Sequence, residues 1–497
     1  MRVLLVYPEF PDTFWSFKHA LPFVRKKASF PPLGLLTVAA LLPEEWELRL
    51  VDMNVTPLRQ HDIEWADYVF ISAMIVQRES ARQVIHHCHQ AGVKIVAGGP
   101  LFMGEHADFP EVDHFVLGEA EATLAPFLDD LARGTPKRLY ETSEFPDLTK
   151  SPLPRWDLID FRHYSSMCVQ FSRGCPFDCE FCNITAMFGR RPRVKTTEQI
   201  LAELDSLYQL GWRGGVFFVD DNFIGNRRIL KQEVLPALIE WRKGKQGMGF
   251  QTEVSINLAD DPELTKLMVD AGFDTVFVGI ETPDEASLAE CNKFQNEGRD
   301  LIACVKTLQR AGLEVQGGFI VGFDSDTPSI FQRQIEFIQQ SGIVTAMVGL
   351  LQAPYGTRLY ERMKKEGRLL GRLSGNNTDD TMNFKPKMDP DLLHEGYRRI
   401  VTTIYSPQAY YKRIRTFLSE YNKSAAIRSK ITWDHICAFF RSIYDLGMRG
   451  KERVEYWKLF FWTLIRRPEL FPRAITLAIY GFHFRRICEL YVNSRSD

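Results

Sequence analysis

No stretch of this 497-residue chain reaches the roughly 18 uncharged apolar residues of a membrane-spanning helix, and the longest candidate, 474–484, is too short. The opening MRVLLVYPEF holds one Arg and a four-residue apolar run that soon meets Pro and Glu, which reads as a buried strand rather than a secretory leader. An excess of one charge is also missing. Lys+Arg total 61 against 63 Asp+Glu, and the net −2 selects no partner for the chain as a whole. There is no internal repeat and no low-complexity tract, which argues against solenoid and propeller architectures. Cysteine is scarce, at nine, and without a leader it points to a reducing cytoplasm, where clustered Cys serve metal binding or catalysis rather than disulfides. What remains is ordinary for globular protein, with 45% hydrophobic and 25% charged residues. At roughly 150 residues per domain the length allows about three.

Residues 1–135 alternate short apolar runs with helical stretches. RVLLVYP (2–8), ELRLVD (47–52), YVFISAM (68–74), VKIVAGG (93–99) and HFVLGE (114–119) have strand character, and LGLLTVAALL (33–42) and SARQVIHHCHQAG (80–92) have helical character. This alternation predicts a parallel, doubly wound α/β domain, whose ligands sit beyond the carboxyl ends of the strands. Asp52 and Asn54, Ser72 and Met74, Gly98 and Gly99, and Gly118, Glu119 and Glu121 fall on those tips. His86, His87 and His89 lie within a helical stretch and suit a solvated helix face.

A proline-rich stretch within 136–165, PDLTKSPLPRWDLIDF, breaks the periodicity and reads as a linker. From 166 to 369 six strand–helix units follow, with strands at 167–173, 215–221, 249–255, 275–281, 315–322 and 345–351. Six units suit an open, partial (β/α)6 barrel, with its chemistry at the carboxyl ends of the strands. Residues 370–497 are mainly helical and differ in composition. From 406 onward they carry 17 Lys/Arg against 8 Asp/Glu and 18 aromatics, a net +9, so the preceding residues sum to −11.

The stretch SRGCPFDCEFCN (172–183) places Cys175, Cys179 and Cys182 directly after the first barrel strand. Structural zinc wants four ligands and a second Cys or His pair, and there is none. A closed ferredoxin-type cluster wants a fourth Cys, and Cys168, the nearest, lies inside the strand. The remaining reading is a [4Fe–4S] cluster with three protein ligands and one open iron.

C-P-F-D-C-E-F-C resembles the C-x3-C-x-aromatic-C signature of the radical S-adenosylmethionine (SAM) enzymes. The resemblance implies that SAM chelates the open iron and is cleaved by one electron to a 5′-deoxyadenosyl radical that abstracts a substrate hydrogen. It places Phe181 beside the adenine and makes Asp220, Asp221 and Asn222, in VDDNF, acceptors for the SAM ammonium in place of the usual Gly-Gly-Glu. GGFIVG resembles the fifth-strand motif that meets adenine, which brings in Gly318, Ile320 and Gly322. Ser255 and Glu281, at two strand ends, stand as contacts to ribose or substrate.

A doubly wound domain ahead of such a barrel resembles the cobalamin-binding class of these enzymes. That class implies cobalamin contacts at Asp52, Asn54, Ser72, Met74, Gly98, Gly99, Gly118, Glu119 and Glu121. The D-x-H-x-x-G motif is absent, since 52–57 reads DMNVTP, so cobalamin would bind with no protein histidine below cobalt. GIETPDEASLAECNKFQN, QGGFIVGFDSD and LQAPYGTRLYERM resemble the subgroup with an uncharacterised C-terminal helical domain, to which hopanoid C-2 methylase belongs. The resemblance implies a radical SAM methyltransferase that uses methylcobalamin to methylate an unactivated carbon, in a lipid or other hydrophobic metabolite. A reducing partner such as flavodoxin or ferredoxin would supply electrons.

A cyclase or oxidoreductase using the same cofactors, and a non-catalytic cobalamin or iron–sulfur carrier, are the alternatives. A methylthiotransferase would carry further cluster cysteines in its N-terminal domain, which has only Cys88. The basic aromatic tail suits either peripheral contact with the inner face of the membrane or a helical cap that buries its aromatics. No nucleic-acid reader motif accompanies it. Cys291 reads as a buried structural thiol rather than a catalytic one.

Overall fold

The computed structural model describes residues 1–423, 426 and 432–492. Arg428, Lys430 and Arg495 of the basic tail lie outside the described residues.

The first domain is a six-stranded parallel sheet in the order β2-β1-β3-β4-β5-β6, with β1 Arg2–Tyr7, β2 Glu47–Asp52, β3 Tyr68–Ser72, β4 Lys94–Gly98, β5 His114–Val116 and β6 Leu139–Tyr140. Alternation along β1 sends Leu4 and Val6 to one buried face and Val3 and Leu5 to the other, so helices must cover both sides. One cover is the helix Arg78–Gln90, which buries Ala81, Val84, Ile85 and Cys88 at helical spacing. His86, on its outer face, meets Glu111 at 3.2 Å. The sequence leads one to expect five strands here. The sixth is two residues long, too short to show any period, and lies within residues 136–165, expected to be a linker. That stretch is packed, since Trp156 and Tyr164 are buried.

The second sheet is also parallel and six-stranded, β7-β10-β11-β12-β13-β14, formed by β7 Ser166–Val169, β10 Gly215–Phe218, β11 Phe250–Val254, β12 Phe273–Glu281, β13 Glu314–Val321 and β14 Ala346–Leu350. Sequential order with a helix after most strands gives the open (β/α)6 barrel. Between β7 and β10, β8 Ser172–Arg173 and β9 Arg193–Val194 form a small antiparallel ribbon that frames the cysteine loop. The helix Leu301–Ala311 shows how sequence sets the bounds. Asp300 caps its start by accepting from the Ala303 amide at 3.0 Å, Leu301, Val305 and Leu308 face the core, and Gly312, at φ 110°, ends it.

The C-terminal helices Pro390–Ile404, Pro407–Glu420, Trp433–Ser442, Arg453–Arg466 and Phe471–Val492 pack onto the barrel. Arg413 is fully buried there, donating to the carbonyls of Ile404 at 2.8 Å and Val344 at 3.1 Å. Much of the aromatic content of this region is interior, including Tyr410, Tyr411, Phe417 and Phe484. The N-terminal domain contributes as well, because residues 9–32 leave its sheet and run to the barrel. Phe14 stacks on Phe484 at 4.2 Å, and Trp15 reaches Phe277 of β12 and Met347 of β14.

Candidate active site

The cysteine loop leaves β8 at Gly174, whose φ of 93° suits only glycine, since an added Cβ would meet three backbone carbonyls within 3.1 Å. Cys175, Cys179 and Cys182 follow, the Cys182 amide donating to the Cys179 carbonyl at 3.2 Å. Burial pushes the Cys182 thiol up to about 12, so a thiolate there needs the charge of a metal. Among the described residues no three Cys, His or acidic side chains converge on a single ion.

The loop already carries donors aimed at sulfur. Asn222 Nδ2 lies 3.9 Å from Cys175 Sγ, and Gln295 Nε2 lies 3.7 Å from Cys179 Sγ. Such donors orient cluster ligands and tune their charge. Lys293 adds a cation. Burial alone would lower its pKa, but the Glu281 carboxylate at 2.6 Å, with the sulfurs of Cys179 and Cys182, reverses this and holds it charged. Glu281 itself sits in the left-handed region at φ 63°, at an irregularity in the β12–β13 pairing. Backbone strain of this kind costs on the order of 1–3 kcal/mol and is held only by surrounding contacts. Here the Lys293 pair supplies one.

The residues matched to SAM fall into two groups. Phe181 packs with Ile320 and Phe323, its ring 6.3 Å from that of Phe323, and Lys293 Nζ lies 6.0 Å from its centroid. Gly322 follows at φ 106°, while Gly318 lies so close to Phe277 that a Cβ would stand 2.8 Å from its ring. Asn222 and Ser255 form the second group, bonded at 3.4 Å, and both line a cavity of about 350 Å³ with Pro176, Phe177 and Asn257. Asp221 accepts from the Gly174 amide at 3.3 Å, and burial raises it to about 6. Asp220 is placed differently. It is buried beneath the loop, accepts from Phe171 N and from Ser172 Oγ, and is pushed to about 7 by burial, so it braces the ribbon rather than facing the cavity.

The residues matched to cobalamin divide in the same way. Ser72, Met74, Gly99 and Gly118 lie on the carboxyl edge of the first sheet, Met74 exposed and Gly118 beside open space. Gly98 is closed in, its would-be Cβ 2.7 Å from the Val116 carbonyl. Asp52 is buried and accepts from Asn54 Nδ2 at 2.8 Å and Tyr164 Oη at 2.9 Å, while Asn54 bonds the backbone of Phe10 and Pro8. Glu119 and Glu121 are taken by arginines of the other domain. Arg173 donates to Glu119 at 2.6 Å and to Glu121 at 2.8 Å, and Arg193 donates to Glu119 at 2.7 Å. Burial alone would raise Glu121, but Arg173 holds it at about 2. These two acids therefore tie the edge of the first sheet to the residue two places before Cys175.

Several residues of the site carry no motif. Lys293 and Gln295 lie in the GIETPDEASLAECNKFQN stretch, which gave them no role of their own, beside Cys291, which is itself buried with its carbonyl accepting from the Glu180 amide at 2.9 Å. Glu253 stands in the middle of β11 between Thr252 and Val254, which are buried on the helix side, so it faces the barrel interior. Among the described residues it has no hydrogen-bond or ion-pair partner, and burial, helped by Asp221 and Asp220, raises it to about 8. With polar Gln251 and Thr252 beside it in the strand, nothing in the sequence singled it out. Trp15, Phe277 and Met347 line the same interior, and Arg372 and Gly375 bring the strap after β14 against Asp108 and Val76 of the first domain.

Three family models match the chain: a B12 binding domain over residues 25–128, the radical SAM superfamily over 169–338, and a domain of unknown function, DUF4070, over 357–496. An uncharacterized methyltransferase of Synechocystis is 41% identical over 99% of this chain and 92% of its own length. The hopanoid C-2 methylase of Rhodopseudomonas palustris is 36% identical over 94% of this chain and 90% of its own. Among solved structures, the radical SAM methyltransferase TsrM of Kitasatospora setae, with cobalamin and a [4Fe–4S] cluster bound, matches 98% of this chain and 99% of its own at a TM-score of 0.62. At 13% identity that match speaks for the fold alone.

Proposed function

The chain belongs to the radical SAM enzymes that carry a cobalamin-binding domain, and from that membership we propose that it is a C-methyltransferase acting on an unactivated carbon of a small hydrophobic molecule, a lipid among the candidates. Its cofactors are a [4Fe–4S] cluster, SAM and cobalamin. When bound, the cluster and SAM together supply a hydrogen-abstracting radical, and cobalamin supplies a transferable methyl group. A small redox protein such as flavodoxin or ferredoxin delivers the electrons, and the C-terminal domain meets the inner face of the membrane.

The observation that carries this reading is the Arg173 junction. It joins the carboxyl edge of the first sheet to the cysteine loop, which supports a reading in which both cofactors border one space. In that space Cys175, Cys179 and Cys182 are the iron ligands, and Asn222 and Gln295 donate to two of their sulfurs. Lys293 offsets the negative charge of the thiolates. Phe181, Ile320 and Gly322 form the wall for adenine, while Asn222, Ser255 and Asp221 offer the polar contacts for the rest of SAM. Ser72, Met74, Gly99 and Gly118 form the floor for the corrin. Trp15, Phe277 and Met347 keep water from the reacting carbon, an exclusion radical chemistry requires.

The test is anaerobic reconstitution with iron, sulfide and cobalamin, followed by incubation with SAM and reductant. The reading expects both 5′-deoxyadenosine and S-adenosylhomocysteine, the second marking methyl transfer from SAM. Cys→Ala at 175, 179 or 182 should abolish both products. Wild-type protein that forms 5′-deoxyadenosine and never S-adenosylhomocysteine contradicts methyl transfer.

A further inference from the structure

The apolar side chains that burial left over are concentrated on two consecutive helices of the C-terminal domain. On the first, the helix from Trp433 continues without a break to Arg449, and Trp433, Phe440 and Met448 recur at helical spacing, each more than 60% exposed. On the second, Arg453–Arg466, Phe461 is 55% and Ile465 77% exposed. The two faces are continuous. Phe440 touches Phe439 at 5.5 Å, Phe439 stacks on Phe460 at 6.2 Å, and Phe460 meets Phe461 at 5.3 Å, so a half-buried aromatic pair joins two exposed rings. Exposed aromatics and aliphatics in one contiguous patch mark an interaction surface, whereas scattered ones do not.

The charge around the patch selects the partner. Arg449 lies 4.8 Å from the centroid of the exposed Tyr444 ring, and Arg453 and Arg466 are exposed. Among the described residues none of these three guanidinium groups has an ion-pair partner. Of the acids nearby, Glu455 is taken by Lys458 at 2.7 Å and Glu452 by Arg485, while Asp434 and Asp445 on the first helix form no ion pair among the described residues and leave the three arginines in excess. Apolar side chains interspersed with unpaired cations, on helices too short and too charged to span a bilayer, fit a surface that lies in the headgroup region of an anionic membrane.

We propose that the face formed by Trp433, Phe440, Met448, Phe461 and Ile465, bordered by Arg449, Arg453 and Arg466, docks the enzyme on anionic phospholipid. This deepens the peripheral contact of the proposed function by naming its face and its lipid charge, and it rests on that reading only in linking the membrane to substrate supply. Nothing in the radical chemistry depends on it, so the two can fail separately.

The test is flotation of the reconstituted full-length enzyme with vesicles of phosphatidylcholine alone or of phosphatidylcholine containing phosphatidylglycerol. The enzyme should float with the anionic vesicles and be released by salt, because exposed charges are screened. The pair Phe440→Ser and Ile465→Ser should weaken flotation about tenfold or more, while 5′-deoxyadenosine formation stays at the wild-type level. Replacing Arg449, Arg453 and Arg466 together by Gln should weaken it roughly a hundredfold, at about 1 kcal/mol for each cation near an anionic surface. Unchanged flotation of either variant, or equal flotation with neutral vesicles, overturns the proposal. So does a dimer in light scattering that the Phe440→Ser and Ile465→Ser pair dissociates, which would assign the face to a second copy of this chain.

Discussion

Arg173→Met tests whether the two cofactor domains are held together through the cysteine loop. Arg173 is 13% exposed and donates to Glu119, Glu121 and Gln170. Its loss leaves Glu119 with Arg193, but leaves Glu121, only 7% exposed, with no cation and only the Ser151 hydroxyl at 2.7 Å. Stranding one partner of a buried pair costs about 3–5 kcal/mol. Glu121→Gln removes the same pair from the other side at roughly 1.5–3 kcal/mol, because Arg173 keeps Glu119. With both changed no charge is stranded, so the double variant should be more stable than the summed single effects by about 2 kcal/mol. Hydrogen–deuterium exchange read at 114–125 and 170–182 measures this opening directly. Exchange there should rise by about two to three orders of magnitude in Arg173→Met, and in the double variant should fall roughly thirtyfold short of the additive expectation. Single effects that add within about 0.5 kcal/mol, or unchanged exchange at the junction, would refute the reasoning.

Other perturbations address the site itself. Lys293→Gln removes a cation from beside the Cys179 and Cys182 sulfurs, so the reconstituted cluster should become harder to reduce, on the order of 50 mV for about 1 kcal/mol of lost attraction, read by a redox titration followed by EPR. An unchanged potential would remove Lys293 from the account. Glu253 holds a proton in the folded chain up to about pH 8 that the unfolded chain releases near its ordinary value of 4.5. The folded state binds the extra proton, so stability falls as pH rises through that window, and Glu253→Gln should flatten the decline in Tm between pH 5 and 8. The Glu121 carboxylate, held at about 2, acts with the opposite sign. It stabilises above its unfolded value, and that contribution is lost as pH falls through about 4 toward 2. Glu121→Gln should therefore remove part of the acid sensitivity of Tm, and an identical acid limb would refute the Arg173 pairing.

The strands of both sheets could be read from sequence because both faces of a parallel sheet are buried, which writes near-continuous apolar runs such as RVLLVY and TVFVGI into the chain. The cysteine loop was legible because metal ligation demands particular residue types at short spacing. What stayed hidden depends on contacts distant in sequence. Glu119 and Glu121 sit on a loop where a ligand contact is the natural expectation, yet Arg173 and Arg193, more than fifty residues away, claim them. Asp220 looks equivalent to Asp221 in VDDNF, but in the turn after β10 one accepts from Phe171 beneath the ribbon and the other from Gly174 at the start of the loop. Trp15 lies in a segment with no periodicity, and its path into the barrel is set by the packing of Phe14 on Phe484 at the far end of the chain. Of the basic aromatic tail, Tyr410 and Phe417 are interior, as a helical cap would hold them, and Phe440 and Ile465 stay exposed.

Methyl transfer to carbon is tested most directly in cells fed methionine with a fully deuterated methyl group. Lipid and metabolite extracts of a wild-type strain, a deletion strain and a deletion strain carrying Cys179→Ala would be compared by mass spectrometry. The account predicts a species bearing an intact trideuterated methyl on carbon that is present only in the wild type, with its precursor, one methylene lighter, accumulating in the other two. Identical labelled methyl patterns in all three strains would contradict it.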